Sequence, residues 1–388
     1  MTGGPTSAGA DQRLARDLVV CSLEAWDEVW RRNQFLVDGL LRCNPQLRVL
    51  FIEPPHDLLH GPGRGRLPTG PRLRAVDAGG RLWVSRPVKL LPRLIGPWTD
   101  RSLRAQVARA ARSLSLQYPV LWVNDVTYGP LAAQTGWPLL YDVTDDWLLA
   151  SAAPRELARL RRLDAWTLSA ADEVVVCSPT LANTRGANRP VTLIPNGVDI
   201  DYFTRMQPRP ADLPSSPVAV YVGTLHDDRI DVELVVELAQ ARPELSIALV
   251  GPDALSARCR RALMTCHNVI LLGSRPYVSV PGYLQHADVV IIPHLKTSFT
   301  ESLDPIKAYE CLVVGCPTVA TDVAGFRDLG NGVTAVPRGD FVARTAKVLE
   351  LPVHEDRRSP IQHAAMTWHE RCSAFEATLA RASRARKS

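Results

Sequence analysis

The sequence predicts an α/β chain of two doubly wound domains facing each other across a cleft. Three observations carry this. Short β-branched runs alternate with amphipathic helices, the pattern of parallel strands covered by helices. The alternation starts afresh at Val218, after a stretch (195–217) that is rich in Pro, Asp and Ser and closes on PADLPSSP. And 388 residues, 46% of them hydrophobic, exceed one ordinary core and suffice for two.

Taken in order, residues 1–17 are polar and rich in Gly, Ala and Ser, and read as a frayed tail, not a secretion signal. The first domain, 18–203, has strands expected at 18–22, 48–52, 120–124, 139–143, 173–177 and 191–194. Its helices are expected at 27–42, 100–115 and 154–170. Residues 204–217 form the linker. The second domain, 218–362, has strands expected at 218–223, 246–251, 269–273, 288–293 and 318–320. A closing helical segment, 363–388, has no strand after it and is free to pack back on the amino-terminal domain.

Composition narrows the function classes. No apolar run reaches the roughly 18 residues that span a bilayer. Eight scattered cysteines include no C-x-x-C pair, which points to reduced structural thiols, not to a disulfide framework or a zinc site. Net charge is only +5, yet residues 64–112 hold twelve Arg or Lys against two acids, Asp77 and Asp100. Nucleic acid is not an expected partner, because the rest of the chain is near neutral and carries no recognition element.

Ligands of open parallel sheets bind beyond the carboxyl ends of the strands, so the strand-to-helix turns hold the candidate site residues. The most informative stretch is 304–322, DPIKAYECLVVGCPTVATD. Asp304 is placed to cap a helix, Pro305 fits its first turn, and Gly315 and Pro317 stop it. Within that apolar helix Glu310 is a charge in need of a partner or ligand. Lys307 shares its face near the amino end, where free backbone N–H groups can meet an anion. A helix-surface Lys–Glu pair is the plainer reading, weakened because Lys before Glu is the less favourable order.

In YVGTLHDDR, Gly223 and Thr224 end a strand and Arg229 precedes the next helix, an arrangement suited to a diphosphate, or to a tight turn with a surface ion pair. Asp142, Asp145 and Asp146 follow another strand, and Asp125 follows a third. Each can act as a general base or hold sugar hydroxyls, or simply cap the next helix; Asp145 is the prime candidate for chemistry. Asp199-x-Asp201 looks like a metal-binding pair but sits in a turn and reads as structural, and no other grouping has metal-ligand spacing. Arg31, Arg32, Asn33 and Gln34 open the first helix within reach of the cleft, or solvate its surface.

LIPNGVDIDYF, YVGTL, ALVGP, ADVVIIPH and above all DPIKAYECLVVGCPTVATD resemble the family-4-like glycosyltransferases of the GT-B fold, especially the bacterial cell-surface polysaccharide group that includes teichuronic acid biosynthesis enzymes. The resemblance covers most of the chain. It implies that Glu310 binds a nucleotide ribose and that Arg229 and Lys307 serve the phosphates, with Gly223, Thr224 and Ser302 completing the donor site. Ser302 stands where the family has a second acid, and Thr224 where it has a second cation. The family's glycine-rich acceptor loop is replaced by SLEAWDEVWRRNQ, and its frequent histidine is not evident near Asp125.

The expectation is therefore a cytoplasmic transferase that moves a sugar from a UDP-, GDP- or dTDP-linked donor to a glycan, lipid-linked or small-molecule acceptor, with retention, no metal and no cofactor. Asp145, Asp125, Arg229 and Lys307 are the expected catalytic residues. A nucleotide-sugar epimerase on the same scaffold, or an inactive binding homologue, are the alternatives. The basic segment 64–112, with Trp83, Leu90, Leu91, Leu94, Ile95 and Trp98 among its cations, would rest on the inner face of an anionic membrane, or be an ordinary solvated loop and helix.

Overall fold

The computed structural model describes residues 16–58, 72–77, 79–90, 97–150, 153–215, 217–327, 329, 332–350 and 366–386. Two open sheets dominate. In the first, the order across the sheet is Thr192–Leu193, Glu173–Val176, Leu139–Val143, Val120–Val123, Asp17–Cys21, Arg48–Ile52, Leu82–Ser85 and Leu73–Ala75. All pairings are parallel except that of Leu73–Ala75, which runs antiparallel to Leu82–Ser85. The second sheet is wholly parallel, in the order Val269–Gly273, Ser246–Val250, Val218–Val222, Val289–Ile292, Thr318–Thr321 and Val333–Val336.

The central strands are near-continuous runs of Val, Ile, Leu and Ala because helices cover both faces of each sheet. Two apolar clusters sandwich the first sheet and one large cluster surrounds the second. In both sheets the first strand of the domain lies between its second and fourth parallel strands in chain order. The strand order reverses there, which opens a crevice at the carboxyl ends. The two crevices face each other: Glu28 O accepts Tyr277 N–H at 2.9 Å, and Ser178 Oγ donates to Ser302 O at 2.7 Å.

The helix Trp368–Ala385 packs on the first domain. Its Phe375 meets Trp122 (ring centroids 4.4 Å apart), and its Trp368 stacks on Phe35 at 4.5 Å. No described helix is long and apolar enough to cross a membrane.

Two of the element starts that differ from the sequence reading bear on the cleft. The first helix begins at Arg32, not at residue 27, because polar groups fold the preceding residues into a turn: Asp27 accepts Val29 N–H, and Gln34 bonds both Arg31 N and Asp27 O. Asp304 does not cap the helix Ile306–Val314. Its carboxylate is drawn across the interface to the backbone N–H of Asn196 and to Tyr309 Oη (2.6 Å), and Pro305, extended, takes the N-cap position. The helix ends as expected on Gly315, in the left-handed conformation (φ 69°).

Candidate functional site

One cleft runs between the domains, and the strand ends of the second domain supply its cationic wall. Gly223 ends the strand Val218–Val222 with φ 149°, a conformation open to glycine, and a Cβ there would collide with Lys307 Nζ. The absent side chain thus lets the ammonium lie against the strand end. Lys307 Nζ donates to Tyr221 Oη at 3.1 Å and sits 4.6 Å from the centre of that ring. Held there, it is not the partner in a helix-surface pair with Glu310.

Arg229 lines the same cleft, its guanidinium 5.5 Å over the Phe299 ring and 3.6 Å from Asp145 of the opposite domain. Lys307 itself lies in the first turn of the helix Ile306–Val314, whose amino end borders the same cleft and whose Ile306 and Lys307 N–H groups lack carbonyl partners within the helix. This wall therefore presents positive charge and free N–H donors to one volume.

Glu310 lies one turn further along that helix, 7% exposed. It accepts no hydrogen bond from any described residue, and burial raises its proton affinity to about 7, against the opposing pull of Lys307. A buried carboxylate with unused lone pairs that borders a cavity is equipped to accept hydroxyl hydrogens from a ligand.

The first domain's wall differs. Arg32 is buried and bonds both oxygens of Asp142 at 3.2 Å, and then Asn196 Oδ1 at 3.2 Å; Asn196 in turn bonds Asp304. Asn33 Nδ2 donates to Ser22 Oγ (2.9 Å) and Asn124 Oδ1 (2.8 Å), and Asn124 Nδ2 to the Asp142 carbonyl (2.9 Å). These side chains are consumed in holding the crevice and tying it to the second domain. Asp145 is different: it projects from the turn after Leu139–Val143 into the cleft, and burial raises its pKa while Arg229 opposes the rise.

The structure brings Asp145, Arg229, Lys307, Gly223, Thr224 and Glu310 together on one cleft. It does not bring in Ser302. That hydroxyl donates to Phe299 O at 2.7 Å and accepts Asp146 N–H at 3.4 Å, fully buried in a short 3-10 turn, so it fastens the domains instead of lining the donor site. Its neighbour Glu301 pairs with Arg327 (2.8 Å) on the outside.

Asp125 also lies off the main cleft. Its carboxylate accepts Thr127 N–H at 2.9 Å and caps the turn Val126–Tyr128, beside a side chamber of the cleft. Asp199 caps the helix Ile200–Thr204 through Tyr202 N–H (3.0 Å). Among the described residues no cluster of three or more His, Cys, Asp or Glu is arranged to hold a metal ion.

Three cleft residues escaped the sequence reading. Glu24, in the turn after Asp17–Cys21, keeps a side chain 40% exposed to the cleft. Set in the cleft, its carboxyl has its pKa raised, chiefly by burial, with Arg31 lowering it and Asp145 raising it. His294 follows Val289–Ile292; it is buried, 3.5 Å from Tyr221 Oη, and held neutral by burial and by the nearby Lys307 and Arg229. Tyr221, the Lys307 partner, is read from sequence only as a strand residue. A polar residue just past a buried strand was the available signal for both His294 and Glu24.

Residues 216–351 match the family model described as glycosyl transferases group 1. A Bacillus subtilis protein described as a teichuronic acid biosynthesis glycosyltransferase is 24% identical over 251 residues, 59% of this chain and 63% of that protein. The match thus spans less than two thirds of that relative's length. Among solved structures, sucrose-phosphate synthase from Thermosynechococcus elongatus superposes with a TM-score of 0.71 at 19% identity, covering 92% of this chain and 97% of that one. Anabaena HepE in complex with UDP-glucose gives 0.60 at 14% identity, covering 96% and 98%. The Escherichia coli trehalose-6-phosphate structure bound with UDP-2-fluoro glucose gives 0.59 at 12%, covering 96% and 97%. The fold is therefore GT-B, two Rossmann-like domains across a cleft, and the second domain carries the group 1 glycosyltransferase signature.

Proposed function

We propose that this chain is a glycosyltransferase that binds a nucleotide sugar on its second domain and transfers the sugar to an acceptor held by the first. The observation that carries the reading is the convergence of Arg229, Lys307, the free amino end of Ile306–Val314 and the unpartnered Glu310 on one cleft wall. Positive charge and N–H donors suit a diphosphate, and Glu310 suits the ribose hydroxyls. Of UDP, GDP and dTDP donors we favour UDP, because two of the structural neighbours hold UDP-glucose or its 2-fluoro analogue.

In the transfer step the acceptor hydroxyl oxygen bonds to the anomeric carbon as the bond from that carbon to the diphosphate oxygen breaks. The electron pair leaves on the diphosphate, where Arg229 and Lys307 stabilise the growing charge. The hydroxyl proton passes to the Asp145 carboxylate, whose raised proton affinity suits that task. Neutral His294 adds no charge to this wall and is available for a polar contact to the sugar. We propose retention of configuration, the acceptor oxygen attacking from the same face as the departing diphosphate, and no metal, two cations of the chain standing at the diphosphate.

We place the reaction at the cytoplasmic face of a membrane, with a glycan or lipid-linked acceptor. The support is the described part of the basic segment: Trp98 is 64% and Leu90 55% exposed, and Arg101 lies 5.3 Å from the Trp98 ring. Leu91, Leu94 and Ile95 lie outside the described residues.

Calorimetry of the purified protein with UDP, UDP-glucose, GDP and dTDP tests the donor site. Glu310→Ala and Arg229→Ala should each weaken the bound nucleotide at least tenfold. Unchanged affinity in both variants would overturn the assignment.

A further inference from the structure

The main cleft does not end at Asp145. Leu23, Asn124, Thr144, Asp145 and Trp147 line both it and a side chamber of about 300 Å³ that reaches back into the first domain. That volume is at the small end of ligand sites and fits one sugar-sized ring, not an oligosaccharide.

Charge distinguishes the chamber from the cationic wall opposite. Five carboxylates line it, those of Asp125, Asp145, Glu156, Asp164 and Asp228, against two guanidiniums. Neither guanidinium is at liberty. Arg159 bonds both oxygens of Glu156 (2.9 and 2.7 Å) and Asp100 (2.8 Å), and Arg185 bonds Asp164 (2.5 Å) and Asp146 (2.9 Å). An incoming phosphate would meet excess negative charge and two cations already neutralised, both costly. Hydroxyl groups would meet the carboxylates of Asp125, Asp145 and Asp228, none of which Arg159 or Arg185 bonds, and the apolar side chains of Val143, Leu148 and Leu160 would cover the ring's C–H face.

We propose that this chamber is the acceptor subsite and that it selects an uncharged, hydroxyl-rich ring, excluding phosphorylated sugars. The proposal rests on the glycosyltransferase reading above and adds the acceptor's class to it. A ring seated in the chamber brings a hydroxyl to Asp145 at the shared mouth, facing the diphosphate wall.

Direct binding, read by saturation-transfer NMR on the full chain without nucleotide, tests this with glucose and glucose 6-phosphate as probes. Glucose should bind at least tenfold more tightly than its phosphate. Ala150→Trp, which fills the chamber, should weaken glucose at least tenfold, while Ala150→Ser should not; Asp228→Lys should shift the preference toward the phosphate by at least fivefold. UDP affinity, recorded for every form, reports whether the fold and the donor wall are intact. Failure of all forms to bind UDP or UDP-glucose would sink the glycosyltransferase reading but leave the sugar preference to be judged by itself. The chamber assignment is overturned if neither sugar binds, if the phosphate binds as tightly as glucose, or if Ala150→Trp binds glucose unweakened while still binding UDP.

Discussion

The two walls of the cleft use charge in opposite ways. On the second domain Arg229, Lys307 and Glu310 lie at strand and helix ends with much of their bonding capacity unspent. On the first domain Arg32, Arg159 and Arg185 are each closed into ion pairs with buried or half-buried acids. One wall is poised to receive a charged ligand, whereas the other has spent its charge on its own architecture. Substitutions of these charged residues should therefore separate: binding defects at Arg229, Lys307 and Glu310, folding defects at Arg32, Arg159 and Arg185.

The sharpest way to break this contrast is Arg32→Ala, which leaves the buried Asp142 without its partner. It should destabilise the protein by about 3–5 kcal/mol in urea unfolding; a loss below about 1 kcal/mol would mean that this wall is not structural.

Glu310→Gln should act in the reverse sense. A carboxyl whose folded pKa is about 7 against an ordinary 4.5 costs the folded state up to about 3 kcal/mol above pH 7. That penalty fades as pH falls from 7 toward 4.5 and is absent below. The variant should thus be more stable than the wild type at pH 8 and equal to it near pH 4.5, while binding UDP-glucose more weakly. In the wild type, affinity should fall between pH 8 and 6 as Glu310 takes up its proton, since the ionised form is the better hydroxyl acceptor. A pH-independent stability difference would show that Glu310 is not held in this strained ionisation.

Arg229→Ala and Lys307→Ala should each cost about 2 kcal/mol of nucleotide binding, roughly thirtyfold, with unfolding midpoints little changed. The smallest effect is expected of Asp125→Ala, about 1 kcal/mol of stability from a lost cap, with turnover retained. A hundredfold loss of turnover there would return Asp125 to the chemistry.

What could be read ahead of the structure follows the same division. The Ile306–Val314 helix and its two charged residues were legible because every determinant, from Pro305 to Gly315, lies within a dozen residues. Most of the sheet strands were legible from β-branched runs, although Leu73–Ala75, Leu82–Ser85 and Val333–Val336 were not expected, and the site's location was legible from the rule that strand ends face the crevice. The first domain's wall was not, because Arg32 and its partner Asp142 are separated by 110 residues and no local spacing reports such a pairing. Ser302 misled for a related reason. Counting positions put it at the donor, but a 3-10 turn points its hydroxyl to Phe299 O and into the interface.

The helix Trp368–Ala385 bears on how the molecule comes into being. It follows the whole second domain in the chain, yet its Phe375, Leu379 and Ala382 complete one apolar face of the first sheet, and Cys372 contacts the backbone of a residue 337 positions earlier. The half of the protein translated first thus emerges from the ribosome with an unfinished hydrophobic face. At about 5–20 residues per second it waits roughly 10–35 s from its last strand to the arrival of this helix. The first domain's core is complete only once this late helix has packed on it.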